Sequence, residues 1–331
     1  MFFQPFHSVD KKLFWRPKPK SSYTMMHPEG DIIEYKINSF GFRGDDFSLR
    51  KQNGNIRIIC AGDSSTFGFN VNYIDSYPER LKEILNIGNS NQYEVINAGV
   101  IGYSSFQGKI YFEQYLRKFK PDILIISYGI NDSMTESISD ADKKLGNVLI
   151  LETQRVLNDS SLYKILCEII HKIKRGMKLK NPAPRYVPLL PKASLNEYEE
   201  NLERIISLCN DDKIILIYLP ISVPIPYKEV MKNVASKNQV GFIDTEDIFK
   251  KYSCEYIKNG LKPYKDFPVD NVYFSSLDPA LKTKFGSEEM VKLREWNYFF
   301  IDAYHPSPCG HQIISEELYK YLIEQNILTR K

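Results

Sequence analysis

The chain has 331 residues, of which 43% are hydrophobic and 26% are charged, and its formal net charge at pH 7 is only +3. This length and apolar fraction allow a full-sized hydrophobic core, in one large domain or two small ones. The weak net charge, without a long basic block, gives little support for a nucleic-acid partner. The five cysteines are scattered and form no CxxC pair, which argues against a disulfide framework and against a zinc site.

The sequence carries no export or membrane signal. The N-terminal segment MFFQPFHSVDKKLFWRPKPK lacks the apolar core of a signal peptide. No stretch reaches the roughly 20 apolar residues that a membrane-spanning helix needs. Reduced thiols fit the cytosol, so we expect a cytoplasmic protein, with export open if the N-terminus is trimmed.

Residues 1–54 are polar and aromatic, and they lack a helical period. We expect them to form an N-terminal arm with short strands such as Asp31–Asn38, followed by a turn at Ser39–Gly44. Residues 55–331 are expected to form the main domain.

The main domain alternates between strands and helices. The five predicted strands are Ile56–Cys60, Tyr93–Asn97, Asp122–Ser127, Lys213–Leu219 and Val240–Ile243. The predicted helices are Tyr77–Leu85, Phe106–Phe119 and Pro308–Leu322. This alternation predicts an α/β fold, with a central parallel five-stranded sheet covered by helices on both faces.

Two insertions interrupt the alternation. The first, about residues 133–194, is expected to be mostly helical, and its segment Leu162–Met177 has an apolar stripe at helical spacing. Packing on the domain is the favoured interpretation of this stripe, and a lid or a membrane-surface helix is the alternative. The second, about residues 254–300, is rich in aromatic residues and is expected to wall the pocket; Tyr264, Tyr273 and Trp296 would stack on sugars or belong to the core.

Polar segments follow the first three predicted strands. Ser64 lies in GDSSTFG, on a turn that would expose its Oγ and aim its backbone N–H at a developing oxyanion. Gly102 lies in NAGVIGYSS, where a glycine lets the backbone approach a substrate. Asn131 lies in GIND, and its side-chain amide would donate to an oxyanion. Each segment taken alone is also explained as an ordinary turn or Asx cap.

A fourth segment, DAYHPS, precedes the closing helix. Its spacing would bring the Asp302 carboxylate to His305 Nδ1 and leave Nε2 free as a base. The other histidines, His7, His27, His171 and His311, lack a comparable aspartate partner in sequence. His311 is expected to serve the closing helix.

GDSS, the Gly102 segment, GIND and DAYH resemble, in order and spacing, blocks I, II, III and V of the SGNH (GDSL-like) hydrolases. The residues that flank these motifs, in NAGVIGYSS, KPDILIISYGIND and DAYHPSPCGHQ, extend the resemblance over about residues 55–135 and 300–325. The upstream INSFGFRGDD resembles an N-terminal element of some bacterial members.

The resemblance implies a flavodoxin-like three-layer α/β/α fold, with Ser64 as nucleophile and His305 as base and then acid. Asp302 would orient His305. The oxyanion hole would consist of the Ser64 and Gly102 N–H groups and the Asn131 side chain. Asp63, Gly129 and Asp132 belong to the same motifs, and we expect them to have supporting roles.

The implied activity is that of a serine esterase on a small acyl ester, acetyl in the first place, of a small molecule or a carbohydrate. One alternative is a carbohydrate O-acyltransferase with the same triad. Another is a lipase or lysophospholipase that would contact a membrane through Leu162–Met177. A non-catalytic binding protein is the least favoured. No cofactor or metal is expected, because the phosphate-binding glycine motifs and a metal-ligand cluster are missing from the sequence.

Overall fold

A computed structural model describes residues 6–26, 32–88, 92–143, 189–258, 299–301 and 304–329. The strands are β1 (His7–Asp10), β2 (Phe14–Pro17), β3 (Ser21–Met26), β4 (Ile32–Ile37), β5 (Ile56–Gly62), β6 (Tyr93–Gly99), β7 (Ile123–Ser127), β8 (Thr135–Glu136), β9 (Leu190–Pro191), β10 (Ile215–Tyr218) and β11 (Gly241–Phe242). The α-helices are α1 (Ser64–Phe67), α2 (Tyr77–Asn86), α3 (Ser105–Tyr111), α4 (Ile130–Ser133), α5 (Leu195–Asp212), α6 (Ile225–Asn238), α7 (Thr245–Lys258) and α8 (Pro308–Glu324).

The central sheet contains five strands in the order β11-β10-β7-β5-β6, and all of its pairings are parallel. Numbered by their place in the chain, these strands lie in the order 2-1-3-4-5, which is the flavodoxin-like arrangement. The five strands predicted from the sequence are those of this sheet, so the predicted fold class is confirmed.

Helices cover both faces of the sheet. Along β5, Ile59 and Ala61 belong to a core with side chains of α3, α5 and α6, whereas Ile58 and Cys60 belong to a core with α2, α7 and α8. Because both faces are buried, the central strands are continuous apolar runs rather than alternating ones. That is why the sequence revealed them.

The strand ends differ from the prediction where the site begins. β5 and β6 continue to Gly62 and Gly99, which pair in register. The glycine at 99 is required by close packing, because a Cβ there would lie 2.2 Å from the backbone nitrogen of Phe67.

The helices also differ in detail. The predicted single helix Phe106–Phe119 begins one residue earlier, as α3, and continues as a π-helix (Phe112–Leu116) and a 3-10 helix (Arg117–Phe119). Further 3-10 helices span Tyr73–Asp75 and Ile327–Thr329.

Both insertions are described only at their ends. β8 and β9 pair antiparallel at the base of the first, so the chain enters and leaves it side by side. α7 extends to Lys258, into the start of the second. Leu162–Met177 lies outside the described residues, as do Tyr264, Tyr273 and Trp296. Among the helices that the structure describes, none combines the length and apolarity required to cross a membrane.

The N-terminal arm contains the hairpins β1–β2 and β3–β4. The predicted strand Asp31–Asn38 is present as β4 (Ile32–Ile37). The arm contains short strands as expected, but the positions of β1 to β3 were not predicted. Arg43 pairs with Ile37 and with Asn97 of β6, which places the arm along the β6 edge of the sheet. The arm shares a small core with Phe67 of α1, and its division from the main domain at residue 54 stays a proposal.

Candidate active site

The turns that carry the candidate residues lie side by side. Gly62, the last residue of β5, pairs with Gly99 of β6 and with Ser127 of β7. The three strands therefore end level at one edge of the sheet. Ser64, Gly102 and Asn131 follow these strand ends by two, three and four residues, at the edge where open α/β sheets bind ligands.

The nucleophile candidate Ser64 is half-buried and is the first residue of α1. Asp63 caps this helix, because its Oδ1 accepts the backbone N–H of Ser65 at 2.8 Å. Burial raises the pKa of the Asp63 carboxyl to about 6, although the Ser65 N–H and His305 act in the opposite direction. Asp63 thus fixes the start of the turn on which Ser64 lies.

Arg43 of the arm supports the other end of α1. Its guanidinium donates to the carbonyl oxygens of Phe67, Gly68 and Val71 at 2.7, 2.5 and 2.7 Å. The guanidinium also lies over the rings of Tyr35 and Phe67. Burial lowers the pKa of Arg43 to about 10. The carbonyl contacts offset the cost of burying this cation, so the arm holds the turn of Ser64 in place.

His305 meets Ser64 directly. The imidazole Nε2 lies 2.8 Å from Ser64 Oγ, across 241 residues of sequence. The loop that carries His305 is closed at its base, where Ser307 N–H donates to the Phe299 carbonyl at 2.7 Å and Ile301 N–H to the His305 carbonyl at 2.8 Å. A neutral imidazole at this distance can accept the hydroxyl proton as the oxygen attacks. Asp302 lies outside the described residues.

Two further hydroxyl groups contact the residue before His305. The Tyr304 carbonyl accepts hydrogen bonds from Ser222 Oγ at 2.7 Å and from Ser65 Oγ at 3.3 Å. The centroid of the His305 ring lies 5.0 Å from that of the Phe69 ring, and the two ring planes make an angle of 53°.

His311 does not take part in the contact with Ser64. It is fully buried in α8, and its Nδ1 accepts the backbone N–H of Tyr77 at 3.2 Å. Burial, with Arg43 and His305 nearby, lowers the pKa of His311 to about 3, so the ring is neutral at pH 7. It joins α8 to the start of α2.

The Gly102 turn has a left-handed backbone and rests on the arm. Gly102 has φ +82°, and a Cβ at this position would lie 3.2 Å from the Trp15 ring. Trp15 Nε1–H donates to the Ile101 carbonyl at 3.1 Å, and the Tyr103 hydroxyl donates to the Trp15 carbonyl at 2.6 Å. Both the conformation and the close contact favour glycine here.

The Asn131 side chain is buried and oriented. Its Nδ2 donates to the Tyr103 carbonyl at 3.1 Å, and 6% of the residue is exposed. A side-chain amide has two N–H donors, and this contact uses one of them.

Asp132 joins the turns that follow β6 and β7. It accepts the Ser105 N–H at 2.9 and 3.0 Å and the Ser105 hydroxyl at 2.5 Å, and Asn201 Nδ2 donates to Ser105 Oγ at 3.0 Å. Burial raises the pKa of Asp132 to about 7, against the lowering effect of these Ser105 donors. Gly129 has φ +140°, and a Cβ there would lie 2.5 Å from a methyl group of Val223.

The sequence did not point to four of the residues that build this site. Ser65 and Arg43 stood within the quoted segments GDSS and INSFGFRGDD, so a signal was present. The sequence carried no signal for Trp15 or Ser222, because each contacts the site across a long separation in sequence. In the part of the chain that the structure describes, no group of His, Cys, Asp and Glu side chains could hold a metal ion.

The sequence matches one family model over most of its length. The model of the GDSL-like Lipase/Acylhydrolase family matches residues 60–313. No curated protein matches the chain.

Solved structures that resemble this one include the acetyl xylan esterase AlAXEase, at 14% identity and a TM-score of 0.47, over 81% of this chain and 100% of that chain. An alpha/beta hydrolase from the metagenome of Lake Arreo, Spain, has 16% identity and a TM-score of 0.44, over 85% and 98% of the two chains. A catalytic mutant of Axe2, an acetylxylan esterase from Geobacillus stearothermophilus, has 16% identity and a TM-score of 0.43, over 82% and 95%.

Proposed function

Because the chain belongs to the GDSL-like lipase/acylhydrolase family and is a carboxylic ester hydrolase, we propose that Ser64 is its nucleophile and His305 its general base. The observation that carries this proposal is the 2.8 Å contact between Ser64 Oγ and His305 Nε2. It joins a half-buried hydroxyl to a proton acceptor at the edge of the sheet where three strand ends meet.

In the proposed reaction, Ser64 Oγ attacks the ester carbonyl carbon while its proton passes to His305 Nε2. The tetrahedral intermediate collapses, the bond to the alcohol breaks, and the alcohol leaves with that proton. Water then attacks the acyl-enzyme by the same steps, which releases the acid and restores Ser64. We assign to Asp302 the role of orienting His305.

We assign the developing negative charge to three donors: the N–H groups of Ser64 and Gly102, and the Asn131 amide. The bond from Asn131 to the Tyr103 carbonyl supports this assignment, since it fixes the amide before substrate arrives. A donor oriented in advance costs no reorganisation during the reaction.

For the substrate we propose a small acyl ester, acetyl in the first place, of a small molecule or a carbohydrate. This part of the proposal depends on the resemblance of the sequence motifs to the family.

The deciding experiment compares wild type with Ser64→Ala on the p-nitrophenyl esters of acetate, butyrate and octanoate. A serine-reactive fluorophosphonate, located by mass spectrometry, identifies the nucleophile. Ser8→Ala is the matched control, because it removes a hydroxyl that donates to the Arg16 carbonyl within the arm. We expect turnover that requires Ser64, labelling at Ser64, and a preference for acetate.

Two other results have distinct meanings. Labelling at Ser64 with negligible hydrolysis would indicate an acyltransferase that lacks its acceptor, and a preference for octanoate would indicate a lipase. Wild-type turnover by Ser64→Ala would refute the assignment of the nucleophile.

A further inference from the structure

We propose that Ser65 and Ser222 are positioning residues for His305, because their hydroxyl groups converge on the carbonyl oxygen of Tyr304. This inference rests on the proposed function, since it needs His305 to be the base. The two hydroxyl groups donate to this backbone oxygen. Both act through the peptide unit that leads into His305.

The geometry of the Tyr304 carbonyl is the first support. Ser222 Oγ donates to it at 2.7 Å and Ser65 Oγ at 3.3 Å. A carbonyl oxygen has two lone pairs, and these two donors fill both. Since the peptide unit is planar and rigid, fixing its oxygen also fixes the direction in which the chain enters His305.

The position of Ser65 beside the nucleophile is the second support. Consecutive residues on one side, Ser64 and Ser65, contact consecutive residues on the other, His305 and Tyr304. Ser65 is itself held, because it is 1% exposed and its N–H is bound to the Asp63 carboxylate. A displacement of the His305 loop would therefore have to break a bond to the turn that carries the nucleophile.

The backbone of Ser222 is the third support. This residue has φ +54°, a left-handed conformation that a side chain with a Cβ disfavours. Its neighbours hold the turn: Ile221 N–H donates to Ser127 Oγ at 3.3 Å, and the Thr245 hydroxyl donates to the Pro220 carbonyl. Strain of this kind persists at functional sites when the surroundings impose it. Glycine would adopt this conformation more easily, but only a residue with a donor can bind the Tyr304 carbonyl.

Small displacements of a catalytic base have large effects on rate, since an error of about 1 Å can cost about 100-fold. We therefore expect loss of either hydroxyl to lower kcat by about tenfold or more. KM for a small ester should change little, because neither hydroxyl is assigned to substrate binding.

The test uses the full chain and p-nitrophenyl acetate, with the variants Ser222→Ala, Ser222→Gly, Ser65→Ala and the double variant Ser65→Ala/Ser222→Ala. Ser315→Ala is the matched control, because it removes a buried hydroxyl that donates to the Gln312 carbonyl within α8. The readouts are kcat, KM, the rate of fluorophosphonate labelling at Ser64, and the apparent Tm.

The comparison of Ser222→Gly with Ser222→Ala separates positioning from stability. Both variants should lose kcat and labelling rate to a similar extent. Ser222→Gly should nevertheless be at least as stable as Ser222→Ala, because glycine relieves the left-handed strain. A hydroxyl with a structural role alone would not lower kcat in a variant of undiminished Tm.

The outcomes distinguish this inference from the proposed function. If Ser64→Ala is inactive while Ser222→Gly and the double variant keep wild-type kcat and labelling rate, the positioning role is overturned and the nucleophile stands. If Ser64→Ala hydrolyses the ester at the wild-type rate, the proposed function itself has failed. Should the double variant not fold, Ser222→Gly alone decides the question.

Discussion

Ser64 and Ser105 both begin helices at the same edge of the sheet, but their hydroxyl groups have different surroundings. Ser64 is half-buried, and its oxygen faces the His305 imidazole at 2.8 Å. Ser105 is fully buried, and its hydroxyl donates to Asp132 while it accepts from Asn201.

The difference shows what separates the proposed nucleophile from a structural serine in this fold. Both serines are the first residue of a helix that follows a strand of the central sheet, so this position alone does not make a serine reactive. A hydroxyl whose donor and acceptor capacity is used inside the protein stabilises the structure and is closed to a substrate. Ser64 keeps an exposed side and has a partner that can take its proton. The following substitutions test this contrast, some around Ser64 and others around Ser105.

His305→Ala should have the largest effect. Loss of the base should lower turnover by about 10⁴- to 10⁶-fold, while the free energy of unfolding changes by about 1 kcal/mol or less, because the residue is only half-buried. Ester hydrolysis and denaturant unfolding measure the two quantities. Activity above a hundredth of wild type would contradict the role of His305.

Asn131→Ala tests whether the second N–H of the Asn131 amide donates to the oxyanion. We expect kcat to fall by about 10²- to 10³-fold with little change in KM, because the lost hydrogen bond forms in the transition state. Steady-state kinetics on p-nitrophenyl acetate measure this change. A rise in KM alone would show that Asn131 binds the ground state.

Ser105→Ala should give the opposite pattern to changes at Ser64. Its removal takes one hydrogen bond from the buried Asp132 carboxyl, which keeps the Ser105 N–H, and removes the acceptor of the Asn201 amide. This loss should cost about 1–3 kcal/mol in the free energy of unfolding. Turnover per folded molecule should stay within about tenfold of wild type, since this hydroxyl lies outside the proposed chemistry. A free energy of unfolding equal to that of wild type would contradict the structural role of Ser105.

Asp132→Asn should change how stability depends on pH. Burial raises the pKa of Asp132 from 3.8 to about 7, so between these values the folded state holds a proton that the unfolded state has lost. This carboxyl therefore contributes stability below about pH 4 that is lost as the pH rises to about 7. The variant should lack this decline, and Asp247→Asn, at an exposed aspartate, is the control of equal charge. Denaturant unfolding at pH 4, 5.5, 7 and 8 gives the difference, and identical profiles would contradict it.

Trp15→Phe should have the smallest effect. It removes the indole donor to the Ile101 carbonyl but keeps an aromatic ring behind Gly102, so we expect a loss of about 0.5–1.5 kcal/mol in the free energy of unfolding. A fall of a few-fold in kcat should accompany it if the arm supports the Gly102 turn. Unchanged kcat would limit the arm to a role in stability.

Much of the core could be predicted from the sequence, because parallel strands buried on both faces appear as short apolar runs. The strands β5, β6 and β7 were found in this way, with errors of a few residues at their ends. The change from α-helix to π-helix at Phe112 could not be predicted, since it depends on packing. The strands β1, β2 and β3 have only four to six residues, which is too short for an alternation of apolar and polar residues to reveal their positions.

For the site, the sequence placed Ser64 and His305 in motifs, and the structure brings them together. The contacts that hold them in place were beyond prediction, because they join distant parts of the chain. Ser65 and Tyr304 are 239 residues apart, and Ser222 and Tyr304 are 82 apart. Hydroxyl donors to a backbone carbonyl carry no pattern of spacing that could reveal them.

The pairing of Arg43 with Asn97 also bears on self-association. β6 is seven residues long and lies at one end of the parallel sheet, where an open edge would present unpaired backbone groups to another chain. The arm covers part of this edge through Arg43, and the opposite edge strand, β11, has only two residues. The sheet therefore has one partly covered edge and one very short edge, so Arg43, which supports the turn of Ser64, also reduces the edge that another chain could pair with.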